Sequence, residues 1–136
     1  MVDFDIEFLD HVAIRVKDLE ISTRWYEKVL GLKKYQVNEW GPFPIFLLSG
    51  KTGIALFPAN VKDPALDPNS RNIKIDHFAF NVSNDNFNKA RSHYDKLEIK
   101  YEFIDHIFFH SLYTLDPDGH TVELTTLVVN ENEFYK

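Results

Sequence analysis

The sequence predicts an α+β fold made from one supersecondary unit used twice. Three observations carry this. Leu9-Asp10-His11-Val12-Ala13-Ile14-Arg15-Val16 returns as Ile75-Asp76-His77-Phe78-Ala79-Phe80-Asn81-Val82, an offset of 77 − 11 = 66 residues, with four of the eight positions identical and three more exchanging one apolar residue for another. In each half, an alternating strand pattern is followed by a helical stripe and then by further strand-like runs. Between the halves, residues 58–72 hold Pro58, Pro64, Pro68 and several Asp and Asn, the composition of a connector.

The elements follow in order. Leu9 to Val16 alternates, with Val12, Ile14 and Val16 on one face and His11, Ala13 and Arg15 on the other. Asp18 offers an N-cap to a helix whose buried stripe is Ile21, Trp25, Tyr26, Val29 and Leu30, and Gly31 ends it. Lys34 to Asn38 reads as an additional short strand, and Pro42-Phe43-Pro44 as a loop or strand edge. Ile45 to Leu48 and Gly53 to Phe57 are strands joined by the turn Ser49-Gly50-Lys51-Thr52. The first module thus runs over about residues 8–58, the linker over about 59–73, and the second module over about 74–128, all within one domain.

In the second module Ile75 to Val82 is a strand, with Phe78, Phe80 and Val82 opposite His77, Ala79 and Asn81. Ser83 or Asp85 opens a helix that buries Phe87, Ala90, Tyr94 and Leu97. Tyr101 to Ile104 is a short strand. Ser111 to Leu115 and Thr121 to Leu127 form a hairpin around Asp116-Pro117-Asp118-Gly119, with proline and glycine where a tight turn wants them. In the last strand Glu123 shares its face with Thr121 and Thr125. The tail from Asn130 to Lys136 reads as a solvated end.

Composition narrows the function. A chain of 136 residues with 44% hydrophobic content builds a real core, which excludes a disordered segment. A net charge of −6 without a basic stripe argues against nucleic acid as a partner. The absence of cysteine removes disulfides, thiolate ligands and a thiolate nucleophile. No apolar run approaches membrane-spanning length, and the acidic start Val2-Asp3-Phe4-Asp5 lacks the apolar segment of a signal peptide. The expectation is a cytoplasmic protein with no membrane partner.

Two histidines at repeat-equivalent sites and one glutamate, each on the non-core face of its strand, match a 2-His-1-carboxylate metal site with open positions. His11, His77 and Glu123 are the candidate ligands. Neutral imidazole and carboxylate suit Fe, Mn, Ni, Co or Zn as a divalent ion, and the residues do not choose among them. The counterpart of Glu123 in the first module aligns with Ala55, which cannot ligate. His106 and His110 flank Ile107-Phe108-Phe109; His110 is the stronger candidate for an acid-base group and His106 the weaker. His120 reads as solvent-facing and His93 as surface. Arg15 shares the face of His11, where a structural salt bridge is its simplest role. Trp40, Phe43 and Phe46 either wall an apolar pocket or pack the module.

From about Phe8 to Leu127 the chain resembles the vicinal oxygen chelate superfamily, which includes glyoxalase I, extradiol dioxygenases, fosfomycin-resistance proteins and bleomycin-resistance proteins. The residues that carry the resemblance are Leu9 to Ile14, Trp25-Tyr26-Glu27-Lys28-Val29-Leu30-Gly31-Leu32, Ile75 to Ala79, and Tyr113 to Leu124 with its Asp-Pro-Asp-Gly turn. The resemblance implies two βαβββ modules forming a U-shaped mixed sheet around a metal. It implies a homodimer and a small-molecule substrate that chelates the metal through vicinal oxygens. Family members that isomerise hemithioacetals use four protein ligands, so Ala55 counts against that glyoxalase-type activity. Tyr113 lies 123 − 113 = 10 residues before Glu123, where dioxygenases and fosfomycin-type thiol transferases carry a substrate-contacting tyrosine. The fosfomycin group also carries a threonine two residues after the first histidine and a basic residue past the glutamate. Here those places hold Ala13 and the stretch Thr126 to Asn132, which has no basic residue. The sequence therefore favours dioxygenase-like chemistry, with lyase, isomerase or thiol-transferase activity, or a metal-free drug-binding module, as alternatives.

Overall fold

A computed structural model describes residues 2–135. The chain divides into two compact units, the first reaching to Pro64 and the second beginning at Ala65. The first contains β1 (His11–Val16), α1 (Leu19–Leu30), β2 (Lys33–Gln36), a single 3-10 turn (Asn38–Trp40), β3 (Ile45–Ser49) and β4 (Thr52–Pro58). The second contains β5 (Phe78–Asn81), α2 (Asn84–Lys96), β6 (Glu102–Asp105), β7 (Phe109–Leu115), β8 (Thr121–Leu127) and a short α3 (Glu131–Phe134). The two sheets have the same plan, β1-β4-β3-β2 and β5-β8-β7-β6. In each, the first strand runs parallel to the last and the remaining pairs are antiparallel. Each unit is therefore a βαβββ module with one helix, and the fold is α+β.

The alternation expected of β1 holds. Ile14 and Val16 are buried while His11, Ala13 and Arg15 are exposed. β1 and β5 are shorter than their apolar patterns. Leu9 and Asp10 precede the ladder, and β5 begins only where Phe78 meets Val122 on β8, so His77 stands one residue ahead of its strand. The expected strand near Lys34 exists as β2, an exposed edge strand.

Helix α1 begins as its sequence suggests. The Asp18 side chain accepts from the Ile21 N–H at 3.0 Å, and Gly31 closes the helix in the left-handed region at φ 67°. Its buried face differs from the expected stripe. Ser22, Thr23, Tyr26 and Val29 are buried, whereas Ile21 is 55% exposed. Small Ser22 and Thr23 let the helix lie close to β3 and β4, and the Thr23 hydroxyl is satisfied by the Leu19 carbonyl at 2.6 Å. Trp25 then turns partly outward and packs its ring edge on Tyr26 at 4.8 Å between centroids. In α2, capped by Ser83, the buried residues are Phe87 and Tyr94, with Ala90 and Leu97 half-buried.

The tail is exposed, as expected, and carries a short helix. Asn130 and Glu133 form a reciprocal capping box at α3, and Phe134 packs edge-on against Phe109 at 4.5 Å. Lys136 lies outside the described residues. No described helix is long and apolar enough to cross a membrane.

Candidate metal centre

The repeated Asp-His dipeptide has one structural meaning in both units. His11 Nδ1 lies 2.7 Å from Asp10 Oδ1, and His77 Nδ1 lies 2.7 Å from Asp76 Oδ2. An Nδ1–H donated to a carboxylate fixes the ring orientation and leaves the lone pair of neutral imidazole on Nε2. The His77 hydrogen bond, with help from the charges of His77 and Lys74, holds the Asp76 carboxyl below the usual carboxylate range.

In the second unit that Nε2 lies 3.1 Å from Glu123 Oε2. Glu123 is 7% exposed. It sits in the middle of β8, opposite Ala79 on one side and Tyr113 on the other. A lone pair on Nε2 facing a buried carboxylate oxygen is repulsive unless a proton or a cation stands with them. The His77–Glu123 pair is therefore chemically suited to a cation, and His11 presents the same carboxylate-backed imidazole in the first unit. Among the described residues no three His, Asp or Glu side chains form one cluster. The fold assembles His77 with Glu123 in the second unit, and His11 holds the repeat-equivalent position in the first.

Register explains what the first unit lacks. Glu123 pairs with Ala79 and Tyr113, and the matching pairs in the first unit are Ala55 with Ala13 and Phe46. Ala55 thus stands in place of the carboxylate, as the sequence predicts, and Phe46 stands in place of the phenol. The aromatic contact survives the change. Phe46 meets the His11 ring edge-on at 5.2 Å, as Tyr113 meets His77 at 5.7 Å. Trp40 joins Phe46 at 5.7 Å and Phe43 joins Phe57 at 6.1 Å, so these aromatics pack as an apolar wall. Arg15 lies over Phe57 and donates to the Pro58 carbonyl at 3.2 Å.

Tyr113 is half-buried beside Glu123. Burial first, then the Glu123 charge and hydrogen bond, push its phenol above the ordinary tyrosine range, so it stays protonated and able to donate. Its hydroxyl lies 2.9 Å from His106 Nε2.

His110 is placed differently from the acid-base role expected of it. It precedes Tyr113 by three residues on the same strand and so points to the opposite face. There it packs against Phe103 at 5.2 Å and Phe87 at 6.4 Å, with Asp105 Oδ1 3.6 Å from Nε2. The parity of a strand already running at Phe109 signals this. His106 lies in the turn before β7, where strand parity gives no orientation. His93 is exposed, as expected. His120 is half-buried, and its N–H donates to Asp116 Oδ1 at 2.9 Å.

An open groove of about 820 Å³ in the second unit runs past Tyr113. Asp76, Glu98 and Glu102 line it with Lys100 as the single cation, beside the apolar walls Ile99, Ile104 and Leu115.

The class that these features define is an α+β protein with a twinned βαβββ plan, an aspartate-backed histidine in each unit and one glutamate on the last strand. The chain belongs to the Glyoxalase/Bleomycin resistance protein/Dioxygenase superfamily, whose model matches residues 8–124. It is 30% identical to the metallothiol transferase FosB of Lysinibacillus sphaericus (strain C3-41), over 96% of this chain and 91% of that protein. It is similar to the crystal structure of the fosfomycin resistance protein FosX from Mesorhizobium loti, with 26% identity, a TM-score of 0.68, and coverage of 95% of this chain and 99% of the other. A glyoxalase/dioxygenase from Nostoc punctiforme shares the fold at 18% identity and a TM-score of 0.77, over 95% of this chain and all of that one.

Proposed function

We propose that this chain is a divalent-metal-dependent enzyme acting on a small molecule held through two neighbouring oxygens, with His11, His77 and Glu123 as protein ligands. The observation that carries this is the His77–Glu123 pair at 3.1 Å, with Nδ1 of the same ring committed to Asp76. A metal ion there supplies Lewis acidity, polarising the oxygens it binds. Asp10 and Asp76 orient the imidazoles. Tyr113, kept protonated by burial and by Glu123, donates its hydrogen bond to oxygen on which negative charge develops.

The proposed reaction is transfer of a thiol to an electrophilic carbon bearing one of those oxygens. The sulfur forms the C–S bond, the C–O bond breaks, and the released oxygen takes the Tyr113 proton. The proton lost by the thiol, carried by solvent, restores the phenol. The 30% identical metallothiol transferase supports this choice. The sequence ranks dioxygenase chemistry first on a ligand count of three, which serves thiol transfer equally, and ranks the fosfomycin group lower because Ala13 and a Thr126 to Asn132 stretch without a basic residue suit an anionic phosphonate poorly. The second ground does not weigh against thiol transfer to an uncharged substrate. Three carboxylates against one lysine along the groove favour a neutral or cationic substrate over a phosphonate.

The deciding experiment is elemental analysis of protein purified without chelators, followed by thiol-consumption assays on a panel of neutral epoxides. About one equivalent of metal in the wild type, lost in His77→Ala, together with metal-dependent thiol consumption, is the expected result. Iron with oxygen uptake on catechols instead would move the assignment to dioxygenase chemistry. No metal after reconstitution, with ligand binding unchanged in His11→Ala, would leave a metal-free binding module.

A further inference from the structure

The turn between β6 and β7 contains the one β-branched residue with positive φ among the described residues, Ile107 at φ 72°. It is 78% exposed, so no burial of its side chain accounts for the conformation. A β-branched residue adopts the left-handed region only when its surroundings force it. Three hydrogen bonds do so here. Asp105 Oδ1 accepts from the Ile107 N–H at 2.8 Å, the His106 N–H donates to the Phe109 carbonyl at 2.8 Å, and the Phe108 N–H donates to the His106 carbonyl at 2.8 Å. The His106 backbone is thus pinned from both sides. Its ring stands edge-on to Tyr113, at 6.1 Å between centroids and 85° between planes, with Nε2 2.9 Å from the phenol oxygen.

The direction of that hydrogen bond follows from the neighbours. Tyr113 and Glu123 are direct cross-strand partners, and an ionised carboxylate only accepts. A phenol has one proton. Directed at the carboxylate side, that proton leaves the phenol oxygen to accept from His106, which requires the hydrogen on Nε2. The reverse arrangement, with Nε2 accepting, would turn the phenol proton away from Glu123.

We propose that His106, held by the strained Ile107 turn, is the positioning residue of Tyr113, donating through Nε2–H so that the phenol proton points toward the His77–Glu123 side. The consequence for catalysis rests on the function proposed above; the hydrogen bond and its direction do not. His106 reaches the site through the Tyr113 hydroxyl, so its removal weakens the aim of the donor without removing it. Hydrogen bonds of this kind correspond to about a 2- to 10-fold change in an equilibrium constant.

The test has two arms on the full chain. The first is long-range ¹H–¹⁵N NMR of the imidazoles in metal-free protein. His106 is expected as the Nε2–H tautomer in the wild type, with a mixed tautomer in Tyr113→Phe. An Nδ1–H tautomer, or a His106 spectrum indifferent to Tyr113→Phe, overturns the proposal. The second arm uses 4-nitrocatechol as an oxygen-chelating probe on zinc-loaded protein. His106→Phe is expected to weaken binding ~5-fold, and His106→Gln, which keeps an N–H donor, to restore it to within about 2-fold. Wild-type affinity in His106→Phe overturns the proposal. Absence of nitrocatechol binding in the wild type overturns the metal assignment instead, and the tautomer result then decides the role of His106 alone.

Discussion

Gly53 opens the strand that carries Ala55, and it sits where three chain segments meet. Its N–H donates to the Asp10 carbonyl at 3.1 Å, and its Cα is paired with His11 on β1 and Leu48 on β3. A Cβ added here would overlap the Leu47 carbonyl oxygen and stand 2.9 Å from Leu48 Cα. Both are backbone atoms, so no rotamer change relieves the clash. Gly53→Ala must push β4 away from β3, breaking or stretching about two hydrogen bonds at ~1 kcal/mol each. Residual overpacking adds about 1–2 kcal/mol. The sum is roughly 3–4 kcal/mol. With an unfolding entropy of about 2.1 cal/mol/K per residue, it lowers the Tm of a chain this long by roughly 12 °C. Thermal and urea unfolding followed by circular dichroism measure it. Gly50→Ala serves as the control, because at φ 62° it has open space and suffers only the backbone cost of a positive φ, about 1 kcal/mol. A loss in Gly53→Ala no larger than in Gly50→Ala would refute the close-approach account.

Two further outcomes are expected. The Tyr94 hydroxyl is buried without a hydrogen-bond partner, and burial pushes its pKa well above the ordinary tyrosine value. Tyr94→Phe should therefore stabilise by about 1 kcal/mol at pH 7 in urea titrations. Above about pH 10 the unfolded chain releases this proton while the folded one keeps it, so wild-type stability falls as pH rises and the variant's advantage widens. A variant less stable than wild type at both pH values would contradict this. Asp116 Oδ1 accepts from the N–H groups of Asp118 and His120, each at 2.9 Å, and Asp116 is itself buried. Asp116→Ala should cost about 2–3 kcal/mol by thermal unfolding, with Asp116→Asn recovering part of the loss. Equal losses in both variants would mean that the turn depends on the charge and not on the acceptor.

The sequence by itself determined the twin modules, their strands and helices, the Asp18 cap, and the faces of His11, Ala55 and Glu123; for α2 it offered Ser83 or Asp85, and the structure selects Ser83. These follow from a repeat and from period-2 and period-3.6 patterns, which are local properties of the chain. Tertiary structure decided the rest. The buried stripe of α1 passed from Ile21 to Ser22 and Thr23, because the sheet rewards close approach as well as apolar area. The Asp-His hydrogen bonds gave the repeated dipeptide its purpose, and cross-strand register matched Phe46 to Tyr113. The choice between His106 and His110 shows the division most clearly. Alternation fixes the face of a residue only within a strand, and that alone turns His110 away from Tyr113. A turn has no period, so the orientation of His106 depends on one left-handed residue and three hydrogen bonds that form only when β6 and β7 pair.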